Sequence, residues 1–248
     1  MSLTDRIKYA EMKARHAKDL RPWYKKWWGA LILAISALIL IVLVASAFYV
    51  YNKVQEINSQ AAQNYLNEQK QAYLNAIAGG GTTYSLGSGN PQITIVEFSD
   101  FACPYCAESA VAVRKVAAAY QNQVKIIFRD YPLHDNSIDL ALAARCAGEQ
   151  GKFWEFHDYI FANQNNLSDT GDALKTKLLA GAQSLKLNTD KFSTCLTDKT
   201  YLSQISTDFQ DGETLQVQGT PTWFVNNYRL TGSLSEQKLQ ELIAGLLK

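Results

Sequence analysis

Residues 27–52 contain no charged side chain, and residues 30–50 are almost wholly apolar. At a rise of 1.5 Å per residue, roughly 20 such residues cross a hydrocarbon layer about 30 Å thick as a helix, and no polar face is left for a soluble one. Residues 53–77 change to a Gln-, Asn- and Ala-rich pattern with Val54, Ile57, Ala61, Tyr65 and Leu66 at roughly helical spacing, which predicts a helical stalk. Its apolar stripe is short and poorly heptadic, so a single solvated helix is expected rather than a paired one. Gly79, Gly80 and Gly81, then Gly87, Gly89 and Pro91, break any helix and mark a boundary, with the folded domain expected to begin near Gln92. Beyond it the β-rich runs 93–98 and 124–131 predict two strands. Residues 131–219 have helical apolar spacing throughout. Asn226-Asn227 predicts a hairpin turn between 223–225 and 228–230. Ser233 with Glu236 has the spacing of a capping box, predicting a last helix that runs to about 247.

Charge gives the apolar run a direction. The first 26 residues hold eight Lys or Arg against three Asp or Glu, and the remaining chain is left at about −4, a balance that argues against nucleic-acid binding. Trp23, Tyr24, Trp27 and Trp28 crowd one end of the run; Phe48, Tyr49 and Tyr51 crowd the other, as rings do at headgroup depth. The positive-inside rule therefore expects a basic cytoplasmic N-terminus over residues 1–28, a span over 29–51, a stalk and linker over 52–91, and an extracytoplasmic domain over 92–248. Ala45-Ser46-Ala47 resembles a signal-peptide cleavage site, but the basic region and apolar run are long for a signal peptide, so an uncleaved anchor is expected. Either way the cysteines reach an oxidising compartment.

Four cysteines are too few for a disulfide framework, and two of them stand only three positions apart. Cys103-Pro104-Tyr105-Cys106 follows a strand and opens an Ala- and Val-rich helical segment, 107–120, with Glu108 in its first turn. At a helix N-terminus, unpaired N–H groups and the helix dipole favour thiolate over thiol. Cys103 is the natural nucleophile and Cys106, one turn on, the resolving thiol, with Pro104 stiffening the turn. Two other readings stand beside this one. Half a zinc site would need further ligands, for which only His134 and His157, widely separated, are offered in this domain; an inert structural disulfide would not need the strand-then-helix setting.

The residues Glu97-Phe98-Ser99-Asp100-Phe101-Ala102-Cys103-Pro104-Tyr105-Cys106, with Gly219-Thr220-Pro221-Thr222 and Arg145-Cys146-Ala147-Gly148-Glu149-Gln150-Gly151-Lys152-Phe153-Trp154, resemble the DsbA-like thiol–disulfide oxidoreductases. The similarity covers about 150 residues from Ile93 onward. It implies an α/β thioredoxin-like fold with a helical insertion at about 135–215, here preceded by one transmembrane helix. It implies that Glu97 is a buried acid able to relay a proton to Cys106, a role that burial would support by raising its pKa. Pro221 would follow a cis peptide bond and face the cysteines, leaving the Thr220 backbone to pair with an extended substrate. Cys146 and Cys195 would form a second disulfide, structural or redox-tuning, closing about 50 residues at a stabilisation of ~4 kcal/mol. The expected substrates are reduced exported proteins, and the expected reoxidant is a quinone-linked membrane oxidase. No cofactor beyond the cysteine pair and no metal are expected. Pro104-Tyr105 departs from the Pro-His of DsbA and matches glutaredoxins, which puts strong oxidising power in question and leaves a reductase, an isomerase or a redox-inactive binding module as alternatives. His134 is placed near the active-site rim, in a surface or packing role, and His157 on a helix face.

Overall fold

The computed structural model describes residues 2–19, 22–78, 84–226 and 228–247. The chain divides into two compact units, Met1–Asn67 and Glu68–Lys248. In the first, helix α1 spans Leu3–Asp19. Helix α2, Trp27–Ala78, opens there and ends in the second unit. No Gly or Pro interrupts α2 after Gly29, so nothing in the sequence breaks its hydrogen-bond ladder. It contains a window of mean hydropathy 3.0, none of it buried, long and apolar enough to cross a membrane.

The second unit is built on a five-stranded sheet ordered β1-β3-β2-β4-β5: β1 Tyr84–Gly87, β2 Ile93–Ser99, β3 Val124–Asp130, β4 Thr222–Val225 and β5 Tyr228–Thr231. Among the described residues only β2 and β3 run parallel, joined through helix α3, Pro104–Ala119. The central position of β2 explains its nearly continuous apolar sequence, since both of its faces are covered. On one face Ile93, Ile95, Ile126, Trp223 and Val225 pack against α3 and the last helix, α9 Glu236–Leu246. On the other, Val96, Phe98, Ile127 and Phe224 pack with Ala76 of α2 and with Leu215 and Val217. Five helices, α4 Ser137–Gly148, α5 Phe153–Ala162, α6 Gly171–Ser184, α7 Thr189–Thr197 and α8 Leu202–Thr214, lie between β3 and β4. They share a core with Phe101, Cys103, Cys106 and Phe128.

Three expectations need correction. The residues assigned to the linker include β1, which forms a sheet edge antiparallel to β3, and Ala76, which is buried; the folded domain therefore begins well before Gln92. β1 is four residues long with alternating exposure and ends at Gly87, whose φ is +91°, so its sequence reads as a breaker. The cap of α9 is Ser235, not Ser233: its side chain accepts from Lys238 N–H. Leu234 and Leu239, both buried in one cluster, fix the chain's entry there as a hydrophobic staple. Helix α3 starts at Pro104, which moves Glu108 out of the first turn. Gly79, Gly80, Gly81 and the hairpin residue Asn227 lie outside the described residues.

A buried charge network ties the inserted helices to the sheet. Arg129 donates to Asp208 Oδ1 at 2.6 Å, to Asp211, and to the Ala76 carbonyl at 2.9 Å near the C-terminus of α2. Arg145 donates to Asp130 Oδ2 at 2.6 Å, to Asp208, and to Gln204 at 3.0 Å. Both guanidinium groups are fully buried, and pairing of this kind is what makes such burial tolerable. Helix α8 approaches β3 closely at Gly212, where a Cβ would sit 2.5 Å from the Tyr131 ring.

Candidate active site

Cys103 is the N-cap of α3, in extended conformation, with Pro104 at the first helical position. Proline's fixed φ suits that position and it loses no hydrogen bond there. The Cys103 carbonyl accepts from Cys106 N–H at 3.1 Å and Ala107 N–H at 3.2 Å, which starts the helix. Both thiols are unbonded; Cys103 is 5% exposed and Cys106 fully buried. Cys103 is pulled down to about 5, first by a hydrogen bond from the Cys106 thiol, opposed by partial burial, then by the Thr220 side chain and the N–H groups of Cys106 and Tyr105. Cys106 moves the other way, well above the usual thiol range, because it is buried, hydrogen-bonded to Cys103 and near Glu97. The pair is thus split into a thiolate and a retained thiol. Tyr105 projects outward, 58% exposed.

Glu97 lies on the α3-facing side of β2, in register with Phe128 on β3 and Trp223 on β4. It is 2% exposed, and burial raises its carboxyl to about 8. The Thr220–Pro221 peptide is cis, and the Thr220 carbonyl lies 3.3 Å from Cys103 Sγ, an acceptor for that thiol while protonated. Cys146 of α4 and Cys195 of α7 are disulfide-bonded with Cα atoms 5.8 Å apart. Cys103, Cys106 and Thr220 therefore meet directly, Glu97 is near enough to raise the Cys106 thiol electrostatically, and the Cys146–Cys195 bond sits within the inserted helices. His157 is buried among Phe101, Phe128 and Phe161, its Nδ1 hydrogen-bonded to the Asp158 carboxylate at 2.9 Å, with its pKa lowered by burial.

Two contacts of the redox loop carry no role in the sequence reading. The buried Asp100 carboxylate accepts from Ala102 N–H at 2.8 Å, Leu133 N–H at 2.8 Å and Ser137 Oγ, and pairs with His134 Nδ1 at 2.7 Å. Its own N–H donates to Cys106 Sγ at 3.4 Å, and its carbonyl accepts from Cys103 N–H at 3.0 Å. The signal for this was present, because an Asp two residues before a turn residue favours an Asx turn. Gln164, just after α5, donates from Nε2 to the carbonyls of Phe101 and Cys103, both at 2.9 Å. No local pattern marks it.

A family model described as Thioredoxin matches residues 80–244, more than half of the chain. The sodium–proton antiporter NhaA 1 of Salinispora arenicola is 35% identical over 160 residues, covering 63% of this chain and 24% of that protein. NhaA 1 of Mycolicibacterium gilvum is 30% identical over 149 residues, 59% of this chain and 24% of that protein. The chain thus spans about a quarter of the length of these curated relatives. Among solved structures, a thioredoxin-like oxidoreductase from Silicibacter pomeroyi has a TM-score of 0.59 at 25% identity, covering 69% of this chain and 95% of that one. BdbD from Bacillus subtilis, in its oxidised form, has a TM-score of 0.60 at 25% identity, covering 66% and 92%. The thiol–disulfide exchange protein α-DsbA2 from Wolbachia pipientis shares the fold at a TM-score of 0.62 and 20% identity, covering 75% and 98%. The thiol pair heads the helix that follows the central strand, and the chain belongs to the thioredoxin family, with the fold of its DsbA-like thiol–disulfide oxidoreductases.

Proposed function

We propose that this chain is a membrane-anchored disulfide oxidase that introduces disulfides into exported proteins. The observation that carries the reading is the stabilised Cys103 thiolate beside a buried, protonated Cys106. A pair whose reduced form is stabilised in this way gives up its disulfide readily. In the forward reaction a substrate thiolate attacks Cys103 Sγ of the Cys103–Cys106 disulfide, and Cys106 leaves. Glu97, protonated near neutral pH, supplies the proton that Cys106 takes up. A second substrate thiolate then attacks the substrate sulfur of the mixed disulfide and expels Cys103 as thiolate, the better leaving group. The substrate is oxidised by two electrons, and the enzyme holds them as a dithiol. Reoxidation falls to a quinone-linked membrane oxidase, and the pair itself is the only redox group required. The Thr220 carbonyl, beside Cys103, is placed to align an extended substrate backbone.

Anchoring is part of the same proposal. The apolar part of α2 spans the membrane over residues 29–51, the basic segment 1–28 stays in the cytoplasm, and the thioredoxin-family unit works outside. The names of the curated relatives denote a membrane activity, which supports a membrane setting. The test is the reduction potential of Cys103/Cys106 in the detergent-solubilised full chain, equilibrated against glutathione. A value near or above about −180 mV is expected, and one below about −250 mV turns the proposal into a reductase.

A further inference from the structure

We propose that Gln164 is a positioning residue for the redox pair, holding the main chain of Cys103 from the inserted helices so that the first turn of α3 faces the Cys103 sulfur. The inference rests on reading Cys103 as the attacking thiol and adds the group that keeps it in place. One amide nitrogen serves two carbonyls, those of Phe101 and Cys103, each at 2.9 Å. Only an NH₂ offers two donors from a single atom on a neutral side chain of this reach, so the two bonds also settle which way the amide points. Gln164 is itself held: it opens the short 3-10 turn Gln164–Leu167, whose Leu167 is fully buried and whose Leu167 carbonyl accepts from Asn136 Nδ2 at 2.7 Å.

The Cys103 carbonyl that Gln164 grips is the one that receives the first helical N–H groups, from Cys106 and Ala107. Its orientation decides where the Tyr105 and Cys106 N–H groups point, and these are among the donors acting on the Cys103 sulfur. Gln164 touches no sulfur. Its effect passes through the N-cap peptide, 61 residues away in sequence. Other groups around the pair, Glu97 from β2, Asp100 after it, and His134 with Ser137 across from Asp100, make no bond to Gln164 that the substitution would remove.

The test uses the reduced full chain in detergent, with iodoacetamide alkylation of Cys103 followed by peptide mass spectrometry between pH 4 and 9. Gln164→Met keeps length and loses both donors; Gln164→Glu keeps shape and turns a charge toward two carbonyls. Circular dichroism and the Cys146–Cys195 bond report folding. In the folded variants the alkylation midpoint rises by about half to one pH unit, the equivalent of one lost net hydrogen bond, and more for Glu than for Met. Loss of a packing contact alone lowers the melting temperature and leaves the midpoint in place. A fast, acid-shifted Cys103 in the parent chain with unchanged midpoints in both variants overturns the inference alone. A parent chain whose Cys103 titrates like an ordinary thiol overturns the oxidoreductase reading and the inference with it.

Discussion

Replacing Glu97 by Gln should make the protein progressively more stable than the parent as pH rises. Glu97 is held at about 8 in the folded state against an ordinary 4.5, because it lies 2% exposed between Phe128 and Trp223. Between those two values the folded protein binds a proton that the unfolded chain has released, so stability falls with increasing pH across the window. Below about 4.5 the carboxyl is protonated in both states and the effect vanishes. Each unit is worth about 1.4 kcal/mol, which over the window sums to an upper limit of about 5 kcal/mol. Gln has nearly the same shape and does not titrate. The thiols would confuse the measurement, since Cys103 is shifted the opposite way, so the oxidised form is the one to use. The assay is urea unfolding of oxidised Glu68–Lys248 and its E97Q variant from pH 4 to 9. A stability difference that stays flat from pH 5 to 8 would refute the burial argument and remove Glu97 from the proton path.

Four further outcomes are expected. The Cys103 thiol, lowered to about 5, releases its proton earlier in the folded state than in the unfolded one, so reduced protein should gain stability relative to oxidised as pH rises from about 5 toward 9; parallel urea titrations of both forms check the sign. Replacing Cys146 and Cys195 together by Ser should lower stability by ~4 kcal/mol, from a closed loop with a sequence separation of 49, and leave the Cys103 alkylation profile unchanged. Asp100→Ala strands the N–H groups of Ala102 and Leu133 and the Ser137 hydroxyl, and should cost about 3 kcal/mol in urea unfolding, whereas His134→Ala, at the half-exposed partner, should cost less than about 1 kcal/mol. Arg129→Met leaves Asp211 without its cation and Asp208 with Arg145 alone, with an expected loss of about 3 kcal/mol and of the Ala76 contact, seen as earlier proteolysis near the end of α2.

The features legible in the sequence are those whose physics is local. An uncharged run longer than a bilayer is thick, a β-rich run followed at once by Cys-Pro-Tyr-Cys and a helix-forming segment, and a β-run on each side of Asn226-Asn227 declare themselves within a dozen residues. The order of elements around the pair followed from them, and so did the place of Cys103 at the head of a helix. What escaped depends on partners far apart in the chain. The edge strand Tyr84–Gly87 exists because β3 offers it hydrogen bonds about 40 residues later, not because its own residues favour a strand. Ser235 rather than Ser233 caps α9 because Leu234 has a cluster to enter. Asp100 meets His134 and Ser137, Arg129 meets Asp208, and Gln164 meets Cys103 only after the inserted helices have folded over the sheet. Sequence placed the two thiols one helical turn apart; tertiary structure sets their protonation and that of Glu97, because desolvation and hydrogen bonding to a sulfur or carboxyl depend on what the rest of the chain places beside it.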